Sequence, residues 1–319
     1  MAKTLRLKNA EKVRLSTTQQ QQKDIKKLYE DLYTDVSKQI SSFGKKGMTL
    51  QQLIVLKRDI GIRISQLNND IKNGIVRNMR TVSNQVVIDT QSFLRLCGFK
   101  NVDDAFMYIP DQIVRNLFTG NIYDGSWTLS KAIWGYNSKT QDTLSKIISY
   151  DTAQGKSAYD TAKDIEAYVD PSSSKKSRVI KSWKLDNDGN RVADSFYFGK
   201  VDYNAQRLAR TMVSHAYQQS FMAVNENDPF VIGYKWITSN FHGRVCPVCA
   251  DYATKDSYGL GSGIFPKDEL PIDHPNGLCT FEAVIPYDMS YIANKIGEWY
   301  NSPTGTFPDI DKYAADFVK

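Results

Sequence analysis

The sequence predicts a mainly α-helical protein with a small α+β module near its carboxyl end and an elongated helical hairpin near its amino end. Three observations predict this fold: apolar residues spaced by three and four over residues 17–114, a strand-like run at 231–238, and a pair of cysteines followed at a distance by a histidine and a further cysteine. With 319 residues and 41% hydrophobic content, the chain is long enough for two lobes with a buried core.

The predicted hairpin rests on two stretches of helical periodicity. Apolar residues follow the helical spacing from Ile25 to Ile40, and again from Leu53 to Val86 without an intervening proline. The second stretch predicts a helix of roughly 45 residues, about 70 Å long. Gly61 and Gly74 lie inside it and favour a kink or break, since each costs about 1 kcal/mol relative to alanine. Such a helix serves either to bind a partner or as a scaffold with an internal apolar face.

Shorter elements follow, and together they divide the chain into four predicted segments. Helices are expected near 111–118, 126–155, 158–168 and 202–225, a β-hairpin around 186–189, a strand at 231–238, and a last helix containing Ile292, Ile296 and Trp299. The predicted segments are a basic arm (1–16), an elongated helical region (17–114), a domain (115–286) that ends in a small module (236–286), and a helix with a tail (287–319).

The net charge of +6 is located in the first 50 residues, which carry 11 basic and 5 acidic side chains, whereas the rest of the chain is balanced. Five basic residues lie close together in the amino-terminal arm: Lys3, Arg6, Lys8, Lys12 and Arg14. Such an arm suits contact with phosphates or with an acidic protein surface. A solvated, frayed terminus is the alternative. No stretch approaches the roughly 20 apolar residues of a membrane-spanning helix, so none is expected.

The carboxyl-terminal module carries a metal-ligand pattern, C-x2-C-x24-H-x4-C, formed by Cys246, Cys249, His274 and Cys279. Two thiolates separated by two residues take one edge of a tetrahedron, and the distant histidine and cysteine supply the other, which predicts a structural zinc site. His242 is a substitute ligand that we rank behind His274. Cysteines without metal and a redox pair are the alternatives, although no βαβ pattern surrounds the pair and no secretory signal opens the sequence.

The module predicts a structural rather than a catalytic metal. A catalytic site keeps an open position with a carboxylate nearby, whereas four protein ligands are available here. Asp273 and Asp251 are the residues on which a zinc hydrolase would depend. We expect His215 and Cys97 to be buried core residues. Because the segment between the half-sites is rich in glycine and proline, we expect the metal to hold the module folded, with a contribution on the order of 10 kcal/mol.

These residues also resemble a known family. The stretch Arg210-Thr211, the strand with Trp236, the knuckle from Arg244 to Cys249, and the sequence from Pro271 through His274-Pro275-Asn276 to Cys279 are similar to the Mu F-like head-morphogenesis domain of tailed-bacteriophage minor head proteins. The resemblance covers roughly residues 115–286.

The resemblance implies a non-enzymatic minor head protein, present in few copies inside the capsid and associated with the portal. Its implied roles are head assembly and DNA packaging or ejection, and its implied locations are the virion head and, during assembly, the host cytoplasm. Further implied partners are the major capsid or scaffolding protein, and DNA through the basic arm. A zinc-containing nucleic-acid-binding protein is the alternative function, followed by the zinc hydrolase.

The chain departs from the family at one place. The family commonly has His-Pro-x-Cys-Arg-Cys, whereas Gly277 and Leu278 stand here where the first cysteine and the arginine would be. If that cysteine is the family's fourth ligand, metal binding in this chain is weaker or absent.

Overall fold

The computed structural model describes residues 3–43, 48–120, 129–169, 179–185, 191–197, 203–239 and 245–317. These residues are mainly helical. The described helices are α1 (Lys8–Ser41), α2 (Leu50–Cys97), α3 (Ile109–Thr119), α4 (Leu129–Ala153), α5 (Ala158–Val169), α6 (Tyr203–Asn225), α7 (Pro247–Thr254), α8 (Met289–Tyr300) and α9 (Pro308–Ala315). The described strands are β1 (Lys3–Leu5), β2 (Val179–Leu185), β3 (Arg191–Tyr197), β4 (Gly233–Ile237), β5 (Ile264–Phe265) and β6 (Thr280–Ile285).

The chain forms two compact units. The first, which we call the sheet unit, comprises Met1–Gln20, Ile75–Thr128 and Leu208–Lys319. The second, the hairpin unit, comprises Gln21–Gly74 and Leu129–Arg207. The domain boundaries predicted from the sequence stay a prediction.

The hairpin unit confirms the predicted antiparallel pairing of the two long helices. Gln39 of α1 donates a 2.6 Å hydrogen bond to Asp59 of α2, and Arg63 of α2 donates one of 2.7 Å to Asp35 of α1. The earlier residue of α1 thus pairs with the later residue of α2, as an antiparallel helix pair requires. Helix α2 continues through both of its predicted weak points, Gly61 and Gly74, because its apolar residues keep their spacing and remain buried on one face.

The sheet unit is built around four antiparallel strands in the order β1-β6-β4-β5. Strand β6 is central, with Phe281 opposite Trp236 of β4 and Val284 opposite Thr4 of β1. The predicted strand at 231–238 is therefore confirmed as β4. Residues 3–5 pair with the central strand as β1, so the expectation of a frayed arm is wrong for these residues.

Aromatic side chains fill the space between α6 and the sheet. The ring centroids of Tyr217 and Phe221 of α6 lie 6.5 and 6.3 Å from that of Phe281, and the Trp236 ring meets Phe281 edge to face with a centroid distance of 5.1 Å. All four side chains are almost fully buried. This core fixes α6 against β4 and β6, the strands that lead into and out of the cysteine-containing segment.

The remaining predicted elements are present. Helices α3, α4, α5 and α8 fall within a few residues of their predicted positions, and β2 pairs with β3 as the predicted β-hairpin, although its connecting residues 186–190 lie outside the described residues. Cys97 and His215 are buried, as predicted.

Candidate metal centre

The first half of the centre is a knuckle at the start of α7. Cys246 is the N-cap residue of this helix, in extended conformation, and proline follows at the first helical position. Backbone N–H groups in the first turn of a helix lack helical partners. That of Cys249, and to a lesser degree that of Val248, stabilises the Cys246 thiolate and lowers the pKa of Cys246. Cys246 is half-buried, while Cys249 is buried one turn further on.

The second half of the centre is an irregular loop that immediately precedes β6. The buried carboxylate of Asp273 accepts the backbone N–H of His274 at 2.9 Å and that of Cys279 at 3.0 Å. The N–H of Gly277 bonds the carbonyl of His274, and Asn276 takes a positive φ of 69° that asparagine tolerates better than most residues. The loop therefore turns around the Asp273 side chain, and this turn places Cys279 immediately before the first residue of β6.

The two halves meet. Ligand atoms of Cys246, Cys249 and His274 lie within 4.8 Å of one another, and so do those of Cys249, Asp273 and Cys279. Both groups share Cys249, so all four ligands predicted from the spacing take part, together with Asp273. The arrangement is graded in burial, from exposed His274 and half-buried Cys246 to fully buried Cys249, Cys279 and Asp273. These groups can hold a metal ion.

Burial makes the two inner thiols poor acids in the absence of a cation. It is the largest cause raising the pKa of Cys249 well above its usual value, and the neighbouring Cys279 adds to it. Burial likewise raises the pKa of Cys279, while the backbone N–H of Ser239 and the indole N–H of Trp236 act in the opposite direction. Without a positive charge the inner thiols are protonated at neutral pH, so metal binding here must release protons.

One face of α6 holds the loop in place through hydrogen bonds to its backbone. Thr211 Oγ1 accepts the N–H of Asn276 at 2.8 Å, and His215 Nε2 lies 2.8 Å from the carbonyl oxygen of Asp273. Gln218 makes two bonds, accepting the N–H of Asp273 at 2.9 Å and donating to the carbonyl of Pro271 at 2.7 Å. Burial lowers the pKa of His215, which favours the neutral imidazole in this position.

These contacts are a second source of stability for the module. Three side chains of α6 fix the loop that carries His274 and Cys279. Their spacing of four and three residues places them on one helix face, which is a pattern visible in the sequence. The expected contribution of a metal to folding stays a prediction.

Arg14 is buried against the metal-binding loop, although the sequence places it in an exposed basic arm. Its side chain is only 1% exposed, and its guanidinium donates to the carbonyl oxygens of Cys279 at 2.7 Å and Leu278 at 3.1 Å. The prediction that Arg14 contacts DNA or a partner is therefore wrong, because its charge is enclosed by the sheet unit. Arg6 is exposed but forms ion pairs with Glu11 and Glu282.

The other members of the predicted basic arm differ in what the structure describes. Lys8 and Lys12 are exposed on the first turns of α1. Lys3 belongs to β1, and its side chain lies outside the described residues. A contact between the arm and DNA or a partner thus stays a prediction for the lysines.

Of the remaining predicted site residues, some lie outside the described residues, one lies outside the ligand cluster and one lies inside it. His242, the substitute ligand, and Arg244 lie outside the described residues. Asp251 is half-buried and forms an ion pair with Lys255 at 2.8 Å, outside the ligand cluster. Asp273, which the sequence offered only as a hydrolase residue, is inside the cluster with both carboxylate oxygens accepting backbone N–H groups.

Comparison with known proteins finds no family model that matches the chain, and no similar curated protein or solved structure. Within the described part of the chain, no helix combines the length and apolar character needed to span a membrane.

Proposed function

We propose that the chain is a minor head protein of a tailed bacteriophage, with a structural zinc ion at the centre formed by Cys246, Cys249, His274 and Cys279. One observation carries this proposal. The resemblance rests on separate stretches, and two of them are in contact: the hydroxyl of Thr211, in Arg210-Thr211, accepts the N–H of Asn276, in His274-Pro275-Asn276. This contact supports the proposal because it joins two separate parts of the motif in one site.

The donor set supports zinc as the metal. Thiolates and imidazole in a closed group of four are typical of structural zinc sites, and a tetrahedron with zinc–sulfur bonds of about 2.3 Å places its sulfur atoms about 3.8 Å apart. The ligand atoms lie within 4.8 Å of one another in each of two groups that share Cys249, and this proximity supports a single metal site. Bound zinc supplies the positive charge that the buried thiolates of Cys249 and Cys279 require.

Metal analysis of the purified full chain tests the zinc assignment. We expect about one equivalent of zinc per chain, as for other Cys3His sites. A Cys249→Ala variant loses it, whereas Cys97→Ala, which replaces a buried cysteine outside the cluster, keeps it. Less than about half an equivalent, unchanged by the replacement of Cys249, would contradict the assignment.

The proposed role is assembly rather than catalysis. In this proposal the long helices α1 and α2 and the exposed lysines of α1 are surfaces for partners, with the portal protein as the main partner and major capsid protein, scaffolding protein and DNA as further ones. The metal centre stabilises the sheet unit and performs no reaction. The protein acts inside the head, in assembly and in DNA packaging or ejection, after synthesis in the host cytoplasm.

Isolation of procapsids and virions from infected cells tests this role. We expect the chain in both particles, in far fewer copies than the major capsid protein, and in a complex with the portal protein after mild dissociation. Quantitative mass spectrometry measures the copy ratio. Absence of the chain from both particles in cells that produce it would overturn the proposed function.

A further inference from the structure

The sheet unit carries a cleft between the loop that follows α6, helix α8 and the start of α9. Its volume is about 220 Å³, and it is lined by Pro229, Phe230, Tyr287, Tyr291, Lys295 and residues 306–310. Pockets that enclose a small molecule have volumes of roughly 300–1,000 Å³. The cleft is therefore better suited to a few side chains of a partner than to a whole small ligand.

The aromatic rings of the cleft form an ordered cluster. Tyr287 and Tyr291 stack nearly parallel, with ring centroids 4.7 Å apart and an interplanar angle of 16°. Phe230 is buried and meets Tyr287 edge to face at 6.2 Å, whereas Tyr291 is exposed. Phe307 and Pro308 line the cleft from the start of α9. A single exposed aromatic side chain is ordinary, but a concave cluster of several rings is typical of a docking surface.

The two charged side chains that line the cleft differ in their partners. Lys295 donates a 2.7 Å hydrogen bond to Glu298. Its Nζ also lies 6.0 Å from the ring centroid of Tyr291 and 5.8 Å from that of Phe307. Asp309 is exposed in the first turn of α9 and forms no ion pair with the residues that the structure describes. The unbalanced charge at the cleft is therefore negative, which favours a basic partner over the phosphates of a nucleic acid.

We propose that this cleft docks a proline-containing segment of a partner protein, with a lysine or arginine beside the prolines that faces Asp309. Proline-rich segments already hold an extended left-handed helix before binding, so they lose little conformational entropy, and they dock in aromatic-lined grooves. A quaternary ammonium ligand fits less well, because Lys295 already holds the cation position over Tyr291 and Phe307. The proposal depends neither on the metal centre nor on the phage role.

Fluorescence anisotropy of labelled synthetic peptides, titrated with the full chain, tests the proposal. The probe has eight prolines followed by two arginines. One control peptide has glycine in place of every proline, so it keeps the charge but not the preformed helix. The other control has two glutamates in place of the arginines. We expect the probe to bind about tenfold more tightly than either control, because both preorganisation and charge favour it.

Replacements in the chain assign the binding to the cleft. Tyr291→Ala removes the exposed ring of the stack and should weaken binding of the probe by about tenfold, as is common for an aromatic residue that anchors an interface. Tyr258→Ala is the matched control, because both tyrosines are 42% exposed and Tyr258 lies outside the cleft. It should leave the affinity unchanged. Asp309→Lys should weaken binding of the arginine peptide and strengthen that of the glutamate peptide, a reversal that a loss of folding cannot produce.

Each of the following results would overturn the proposal. Equal binding of the probe and the glycine peptide would show a charge effect alone, and an unchanged affinity in Tyr291→Ala would place the peptide elsewhere. Tighter binding of oligothymidine than of the probe, weakened by Tyr291→Ala, would identify a nucleic-acid surface. Dimerisation that Tyr291→Ala abolishes, seen by sedimentation in a chain that does not bind the probe, would show that a second copy covers the cleft. None of these results alters the zinc content or the presence of the chain in phage particles.

Discussion

The Asp273 carboxylate occupies the space that a side chain at position 277 would need. A Cβ atom on residue 277 would lie 2.3 Å from both carboxylate oxygens of Asp273. The carboxylate cannot move away cheaply, because its oxygens accept the backbone N–H groups of His274 and Cys279. Glycine is required here by close approach alone. The carboxylate that requires this glycine also lies beside the sulfur atoms of Cys249 and Cys279.

The first prediction concerns this contact. Gly277→Ala should lower the free energy of unfolding by about 1–3 kcal/mol, the usual cost of overpacking a rigid site. Urea denaturation of the zinc-loaded chain measures it. Gly297→Ala is the control: a Cβ atom at this position of α8 meets nothing within 4 Å, so the replacement should stabilise the chain by up to about 1 kcal/mol through helix propensity.

A double replacement shows whether the carboxylate is the obstacle. In an Asp273→Ala background, Gly277→Ala should cost much less than in the parent chain, because the methyl group then enters the vacated space. A cost that is the same in both backgrounds would show that Asp273 and residue 277 are independent, contrary to the contact described.

The second prediction concerns the bond between α6 and the loop. Thr211→Val keeps the shape of the side chain but leaves the N–H of Asn276 without its acceptor, so we expect a loss of about 1–3 kcal/mol in unfolding free energy. Thr211→Ser retains the hydroxyl and should lose less than half as much. Amide hydrogen exchange at Asn276 gives a local measure: unchanged protection in Thr211→Val would contradict the assigned bond.

The sequence predicts the cluster of candidate metal ligands better than it predicts the residues around them. Cys246, Cys249, His274 and Cys279 are recognisable because ligand chemistry is a property of residue type and spacing. The long helices are recognisable for a similar reason, since burial on one face repeats every three or four residues.

The supporting contacts follow no such local rule. Arg14 bonds a carbonyl 265 residues away, and the sequence alone shows only that Arg14 belongs to a basic cluster. The distribution of basic residues along the sequence shows the cluster, but burial and ion pairing of its members depend on the tertiary structure. The short strands β1 and β5 are also absent from the sequence prediction. With three and two residues, they are too short to show an alternation of apolar and polar side chains. Their pairing with β6 and β4 depends on tertiary structure.

The third prediction is a pH dependence that originates at Asp228. This carboxyl is buried, and its removal from water raises its pKa to about 6, although the N–H of Phe230 and the charge of Lys267 oppose the shift. In the unfolded chain Asp228 loses its proton near pH 4. Between about pH 4 and 6 the folded state therefore holds a proton that the unfolded state has lost, so stability contributed by this group falls as pH rises.

Asp228→Asn removes this titration while keeping an oxygen that accepts the N–H of Phe230. Relative to this variant, the parent chain should lose up to about 3 kcal/mol of unfolding free energy between pH 4 and 6, and little more above pH 6. Urea denaturation at several pH values measures the difference between the two chains, which cancels any pH effect on the metal ligands. A difference that stays constant over this range would contradict the assignment.

The last prediction tests DNA contact through the exposed lysines at the start of α1. With Arg14 buried and Arg6 ion-paired, Lys8 and Lys12 are the described members of the amino-terminal cluster with exposed, unbridged side chains. If they lie on phosphates, replacing both with alanine should weaken binding to double-stranded DNA. It should also reduce the slope of log affinity against log salt by up to about 2, since each lysine releases nearly one counterion.

Replacing Lys26 and Lys27 of the same helix is the matched control, because both are exposed but already paired with Glu30 and Asp31. An equal effect of the two double replacements would show a general charge effect, and no effect of either would remove DNA from the partners of this arm.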